Sequence, residues 1–176
     1  MTHPDHVKLI SPGIKKNSAG VWADVGSGTG AFTLALRDIT GPEVTIYSID
    51  KDTDSLKEQQ EKFDTQFPNT KIYYRTADFT QPLNLPPLDG LIAANAIHFT
   101  RNTLVTIKHL ASYIKPQGSF IIIEYNTDDG NHWVPYPFSF PTLQSLARQT
   151  NLKNPELLAT IPSNFLKEIY AAKATT

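Results

Sequence analysis

Asp24-Val25-Gly26-Ser27-Gly28-Thr29-Gly30 closes the apolar run Val21-Trp22-Ala23-Asp24-Val25, and Ala31-Phe32-Thr33-Leu34-Ala35-Leu36 follows at once. The order reads as a strand over 21–26, a glycine-rich turn and a helix from about residue 30 to 38. Glycines allow positive φ and let backbone approach a ligand closely. In open α/β sheets such turns sit at the carboxyl ends of strands, where the strand order reverses and ligands bind. Tyr47-Ser48-Ile49-Asp50 then ends the next strand on a carboxylate of the kind that pairs with ribose hydroxyls. Turn and acid together point to a nucleotide-type cofactor.

Outward from this centre, strand and helix signals alternate, which argues for a parallel sheet covered by helices. Residues 43–50, 71–75, 88–94 and 119–125 read as further strands. Residues 55–67 and 102–114 read as helices, and Lys115-Pro116-Gln117-Gly118 as the turn before the fifth strand. Leu56, Phe63 and Phe67 form the expected buried stripe of the polar helix, with Asp52 or Thr53 capping it. Residues 126–141 lose all periodicity and carry Trp133, Tyr136, Phe138 and Phe140. A loop this long inside a compact domain is usually functional, and its aromatics argue against disorder. A helix over 142–151, capped by Pro141 or Ser139, precedes two strands, 157–161 and 165–172, that read as a hairpin.

The chain has 176 residues, net charge −1, and no cysteine. That length suits one domain over residues 1–176. The charge balance leaves no footprint for nucleic acid, and the missing cysteines remove thiolate nucleophiles and cysteine metal sites. No apolar segment approaches the roughly 20 residues of a membrane span, and Met1–His6 lacks the plan of a signal peptide. The expectation is a cytoplasmic protein, monomer or homodimer, with no membrane or nucleic-acid partner. His3, His6 and His109 have no spacing that suggests a metal site.

In the order of its elements the chain resembles the class I S-adenosylmethionine-dependent methyltransferases, from about residue 20 onward. Residues 24–30 are similar to that family's first motif, which cradles the methionyl part of the cofactor. Asp50 matches the acid that holds the ribose, Ala77-Asp78-Phe79 the motif that meets adenine, and Ala94-Asn95-Ala96-Ile97-His98-Phe99 the segment facing the sulfonium and the acceptor. Lys115–Gly118 resembles the family's proline–glycine turn. The resemblance implies a Rossmann-like α/β fold, with a seven-stranded, mostly parallel sheet, an antiparallel last strand and helices on both faces. It also implies S-adenosyl-L-methionine as cofactor, with Asp24, Gly26, Ser27, Gly28, Gly30, Asp50, Lys51, Asp78, Phe79 and Asn95 around it.

For individual residues, structural readings stand beside functional ones. Asp24 precedes the turn and is expected to act indirectly, holding the loop amides. Asp78 could cap a turn, and Phe79 could stack on adenine or seal the core. Asn95 ends a buried strand, where its amide needs partners. His98 could move a proton from an acceptor, and Tyr125 is the second candidate for that chemistry. Glu124, Tyr125, His132, Trp133 and Tyr136 join His98 as candidate contacts for a small-molecule acceptor, although an acid at a sheet edge is often only solvated. The first 20 residues are expected to be a cap segment without helices, and 126–141 the acceptor-side loop. Gly26-x-Gly28-x-x-Ala31 also fits the looser dinucleotide pattern, which keeps an NAD(P)-dependent oxidoreductase open. A non-catalytic cofactor-binding scaffold is the third reading.

Overall fold

The computed structural model describes residues 1–176. Helix α1 (His3–Ile10) and a 3₁₀ turn (Ser11–Gly13) precede β1 (Gly20–Val25), α2 (Ala31–Thr40), β2 (Val44–Asp50), α3 (Thr53–Gln66), β3 (Lys71–Thr76) and β4 (Leu88–Ala94). A 3₁₀ turn (Ile97–Phe99), α4 (Thr103–Ala111), β5 (Ile114–Tyr125), α5 (Phe140–Ala147), β6 (Lys153–Pro162) and β7 (Glu168–Thr175) follow. One sheet contains all seven strands in the order β3-β2-β1-β4-β5-β7-β6. Every neighbouring pair from β3 through β5 is parallel, and β7 runs antiparallel to both β5 and β6. The terminal hairpin and the antiparallel last strand are as the sequence suggests. Order reverses between β1 and β4, so the crevice outside their carboxyl ends is the place for a ligand.

Two apolar layers hold the helices to the sheet. On one face Leu9 and Ile10 of α1 and Phe32, Ala35, Leu36 and Ile39 of α2 pack on Trp22, Ile46, Ile92 and Ile121. On the other, Ile107, Leu110 and Ala111 of α4 and Leu143 and Ala147 of α5 pack on Leu91, Ala93, Phe120 and Ile122. Helix α3 is polar outside and buries Leu56, Gln59 and Phe63, with Asp52 as its N-cap accepting the Asp54 N–H. Ser139, not Pro141, caps α5.

Three expectations need correction. Residues 3–10 are helical: Thr2 and Asp5 form a capping box, and burial of Leu9 and Ile10 fixes a helix too short to show a period. Residues 115–118 are not a turn outside the sheet, because β5 already starts at Ile114. The irregularity is absorbed as a register shift against β4 between Leu88 and Gly90, with Gln117 at φ 66°. The last strand begins at Glu168, later than expected, and β6 extends from Lys153.

Candidate functional site

Beyond the carboxyl ends of β1, β2 and β4 lies a cleft of two adjoining chambers. The outer one, about 360 Å³, is lined by Gly26, Asp50, Lys51, Asp78, Phe79, Thr80, Asn95, Ala96, Phe99 and Thr100. The inner one, about 200 Å³, runs under the glycine loop, and His6, Asp24, Ser27, Phe32 and Ala94 are among its walls. Gly26 and Asn95 belong to both.

Gly26 has φ 67°, and a Cβ on it would lie 2.5 Å from that of Ala96. The turn therefore needs glycine there for conformation and for space. Its backbone donors are already engaged. The Gly26 and Ser27 amides donate to Ile49 O, and Gly30 to Ser27 O. The Gly28 amide donates to Asp50 Oδ2 at 2.7 Å. Asp50, rather than Asp24, thus holds a loop amide. The other oxygen of Asp50 accepts the Asp52 N–H. Asp24 is 1% exposed, and its Oδ2 accepts the Thr33 hydroxyl at 2.6 Å. Burial pushes its carboxyl up to about 7, the Thr33 hydroxyl opposes that shift, and Asp50 adds to it. Its Oδ1 has no partner, and neither has the buried Oδ1 of Asn95, a residue at φ 49°. Below the loop, the Ser48 hydroxyl lies 2.7 Å from Ser27 Oγ and 2.8 Å from Gln59 Oε1. Ser27 is therefore engaged in buttressing while it also lines the inner chamber. Gly28 and Gly30 line neither chamber; they shape the turn, Gly30 as the N-cap of α2 at φ 85°.

Asp78 folds onto its own turn, accepting the Thr80 N–H and hydroxyl at 2.8 Å each. These bonds lower its pKa, with burial opposing. Phe79 is half-buried against the core and also forms a wall of the outer chamber.

After β4 the chain passes Asn95 and Ala96 into the 3₁₀ turn that carries His98. Its side chain is 3% exposed and that of Glu124 1%. His98 Nδ1 lies 2.8 and 3.0 Å from the two Glu124 oxygens. Glu124 also accepts the Tyr125 N–H at 2.8 Å. It is a fully buried acid, not a solvated edge acid. Nε2 of His98 makes no hydrogen bond within the protein, whereas Nδ1 is held by Glu124. The ring packs on Phe99 at 4.3 Å and Tyr125 at 5.9 Å, and Tyr125 in turn meets Phe165 at 6.0 Å. Burial and the Glu124 charge raise the Tyr125 phenol.

Loop 126–141 reaches His98 through its backbone, since the Tyr136 N–H donates to His98 O. It is pinned by buried Val134 and Phe138 and by the Tyr170 hydroxyl, which donates to Phe138 O. Trp133 is 70% exposed and Tyr136 42%. Neither these nor His132, Tyr125 and Glu124 line either chamber. His98 lines neither chamber itself, so the three residues expected to wall the acceptor pocket, His98, Tyr125 and Trp133, stand outside both. The outer chamber opens instead beside Phe99, the end of the segment expected to face the acceptor, and beside Thr100 and Thr80, which the sequence did not single out. Phe99 is 60% exposed, and the signal was its place two residues after the buried Ile97. Met1, His6 and Phe32 were equally unforeseen, because α1 was.

The profile of the methyltransferase domain family matches residues 16–169. A hybrid PKS-NRPS synthetase of Aspergillus flavus is 28% identical over 123 residues, 66% of this chain and 3% of its own length. A non-reducing polyketide synthase of Penicillium rubens is 30% identical over 119 residues, 63% of this chain and 4% of its own. The chain thus spans only a few per cent of these curated relatives. A SAM-dependent methyltransferase from Aquifex aeolicus aligns with TM-score 0.71 at 17% identity, over 98% of this chain and 93% of its own. The CurJ carbon methyltransferase aligns with TM-score 0.73 at 18% identity, over 92% and 50%. These structures establish the fold, and the family match sets aside the dinucleotide oxidoreductase. The chain belongs to the methyltransferase domain family.

Proposed function

We propose that this domain methylates a small acceptor whose accepting atom must lose a proton, and that His98 takes that proton. The observation carrying the reading is the buried His98–Glu124 pair. A carboxylate on Nδ1 fixes the tautomer, leaves Nε2 as the basic atom, and stabilises the imidazolium once the proton has arrived. His98 stands between Ala96 and Phe99, two walls of the outer chamber. Tyr125 packs on the ring, and Phe99 and Thr100 of the outer chamber offer the acceptor its contacts.

The chambers fit the cofactor on features of this chain. Two buried acceptors without partners, Asp24 Oδ1 and Asn95 Oδ1, call for N–H donors such as an α-ammonium. The loop amides are engaged, one of them by a carboxylate, which disfavours a diphosphate and suits a cationic, phosphate-free ligand. Asp50 and Lys51 would hold the ribose end, and Asp78 and Phe79 the adenine. When bound, S-adenosylmethionine supplies a methyl carbon already activated by the sulfonium. The protein's share is to align the acceptor, exclude water and accept the proton.

The sequence relatives are named as polyketide synthases, and an acyl chain with an acidic carbon between two carbonyls is the acceptor class such a base suits. Within that reading the unit is one domain over 1–176, cytoplasmic, acting as a monomer or homodimer. None of its helices is long and apolar enough to cross a membrane. Incubation with S-adenosylmethionine and a β-keto thioester, read by mass spectrometry, tests the proposal. His98→Ala should lower turnover by about 10²- to 10⁴-fold while S-adenosylhomocysteine still binds. Unchanged turnover would remove His98 from the mechanism.

A further inference from the structure

The inner chamber poses a question that the glycine loop does not answer. Its buried acceptors, Asp24 Oδ1 and Asn95 Oδ1, are suited to an ammonium. An amino-acid end also carries a carboxylate, and that group needs donors. The usual source in a glycine loop is free backbone amide, yet the amides of Gly26, Ser27, Gly28 and Gly30 are all bonded within the protein. No lysine or arginine lines this chamber. The one lining side chain able to carry positive charge is His6, on α1.

The position of His6 is built. Helix α1 is fixed by Leu9 and Ile10, both 0% exposed, and by its capping box. Its imidazole stands edge-on against Phe32, another chamber wall, with centroids 4.8 Å apart. The residue is partly buried, and burial, with the nearby amino terminus, lowers its pKa. Neither ring nitrogen is engaged by a protein hydrogen bond, unlike those of His3, His98 and His109, each of which has one.

We propose that His6 is a ligand-binding residue of the inner chamber, donating to the carboxylate of the cofactor's amino-acid end while Asp24 and Asn95 take its ammonium. This rests on the cofactor reading above and adds α1 to the binding surface. Residues far apart in sequence then read the two charges of one zwitterion from opposite walls. A ligand with the same adenosine and thioether but no amino-acid end should be indifferent to His6.

Calorimetric titration with S-adenosylhomocysteine and, separately, with 5′-methylthioadenosine separates the outcomes. His6→Ala should weaken the first by about tenfold, the size of a hydrogen bond to a charged group, and leave the second unchanged. His6→Gln, which keeps a side-chain N–H, should recover part of the loss. Equal weakening of both ligands would mean that His6 only supports the fold, and no weakening of either would mean that it touches nothing; either result overturns the proposal. Failure of the unaltered protein to bind S-adenosylhomocysteine at all would overturn the cofactor reading, and this inference with it.

Discussion

Asp50 Oδ2 accepts the Gly28 amide at 2.7 Å, so the acid that ends β2 also fixes the turn that ends β1. The two strands are parallel neighbours with Val25 opposite Ile49, which is why the next residues meet. Asp50→Ala should therefore loosen the loop as well as remove a carboxylate from the outer chamber. Loss of a hydrogen bond to a charged group is worth about 1.5–3 kcal/mol. S-adenosylhomocysteine affinity should fall by at least about tenfold, and amide exchange at Gly28 should accelerate. Asp50→Asn, which keeps an acceptor, should be milder in both measurements.

Gly26→Ala is expected to abolish cofactor binding and lower stability. The residue sits at φ 67°, and the new Cβ would overlap that of Ala96. Positive φ and overlap both act against alanine, so the cost should exceed about 1 kcal/mol. A denaturation midpoint and a binding titration check the two effects separately.

Asp24 predicts a pH dependence of stability. Its carboxyl is raised from the model-peptide value of 3.8 to about 7 by burial. The unfolded chain therefore releases this proton at lower pH than the folded one. Between about pH 4 and 7 the native state binds more protons, so this residue's contribution to stability is full at the acid end and falls as pH rises. Asp24→Asn cannot ionise and should remove that slope. The variant's unfolding free energy, relative to the unaltered protein, should increase from pH 4 to pH 7.5. A constant difference across that range would show that Asp24 is ionised throughout.

Glu124→Gln should separate orientation from charge. The amide oxygen can still accept from His98 Nδ1, keeping the tautomer, but it cannot stabilise an imidazolium. Turnover should drop by about 10²-fold or more with S-adenosylhomocysteine affinity unchanged. If affinity falls in parallel with turnover, the pair serves the fold of the cleft.

The sequence made the central layers legible because they bury both faces of the sheet. Val21–Val25, Leu88–Ala94 and the triple isoleucine of β5 have few alternatives as apolar runs, and the glycines between β1 and α2 mark the turn. Helix α1 stayed hidden: its eight residues bury only Leu9 and Ile10, too few to show a period. Pairing of His98 with Glu124 was hidden for a different reason. The residues lie 26 apart and meet only because Ala94 aligns with Ile123 in the parallel β4–β5 register. That register is a property of the sheet, and no local pattern encodes it. Asp24 misled because its place before the turn suggested loop amides, while its side chain reaches Thr33 in α2 instead.

Strand β7 follows every other strand in the sequence, yet it is interior to the sheet, bonded to β5 on one side and β6 on the other. The fully buried Tyr170, Ala171 and Ala172 belong to it, and Tyr170 ties down the loop beside His98. Until residues 168–175 leave the ribosome, β5 presents an unpaired apolar edge and β6 has nothing to pair with. Assembly of this sheet is therefore completed by the strand that comes last in its sequence, and a chain made only as far as β6 carries an adhesive edge that exposes it to misassociation.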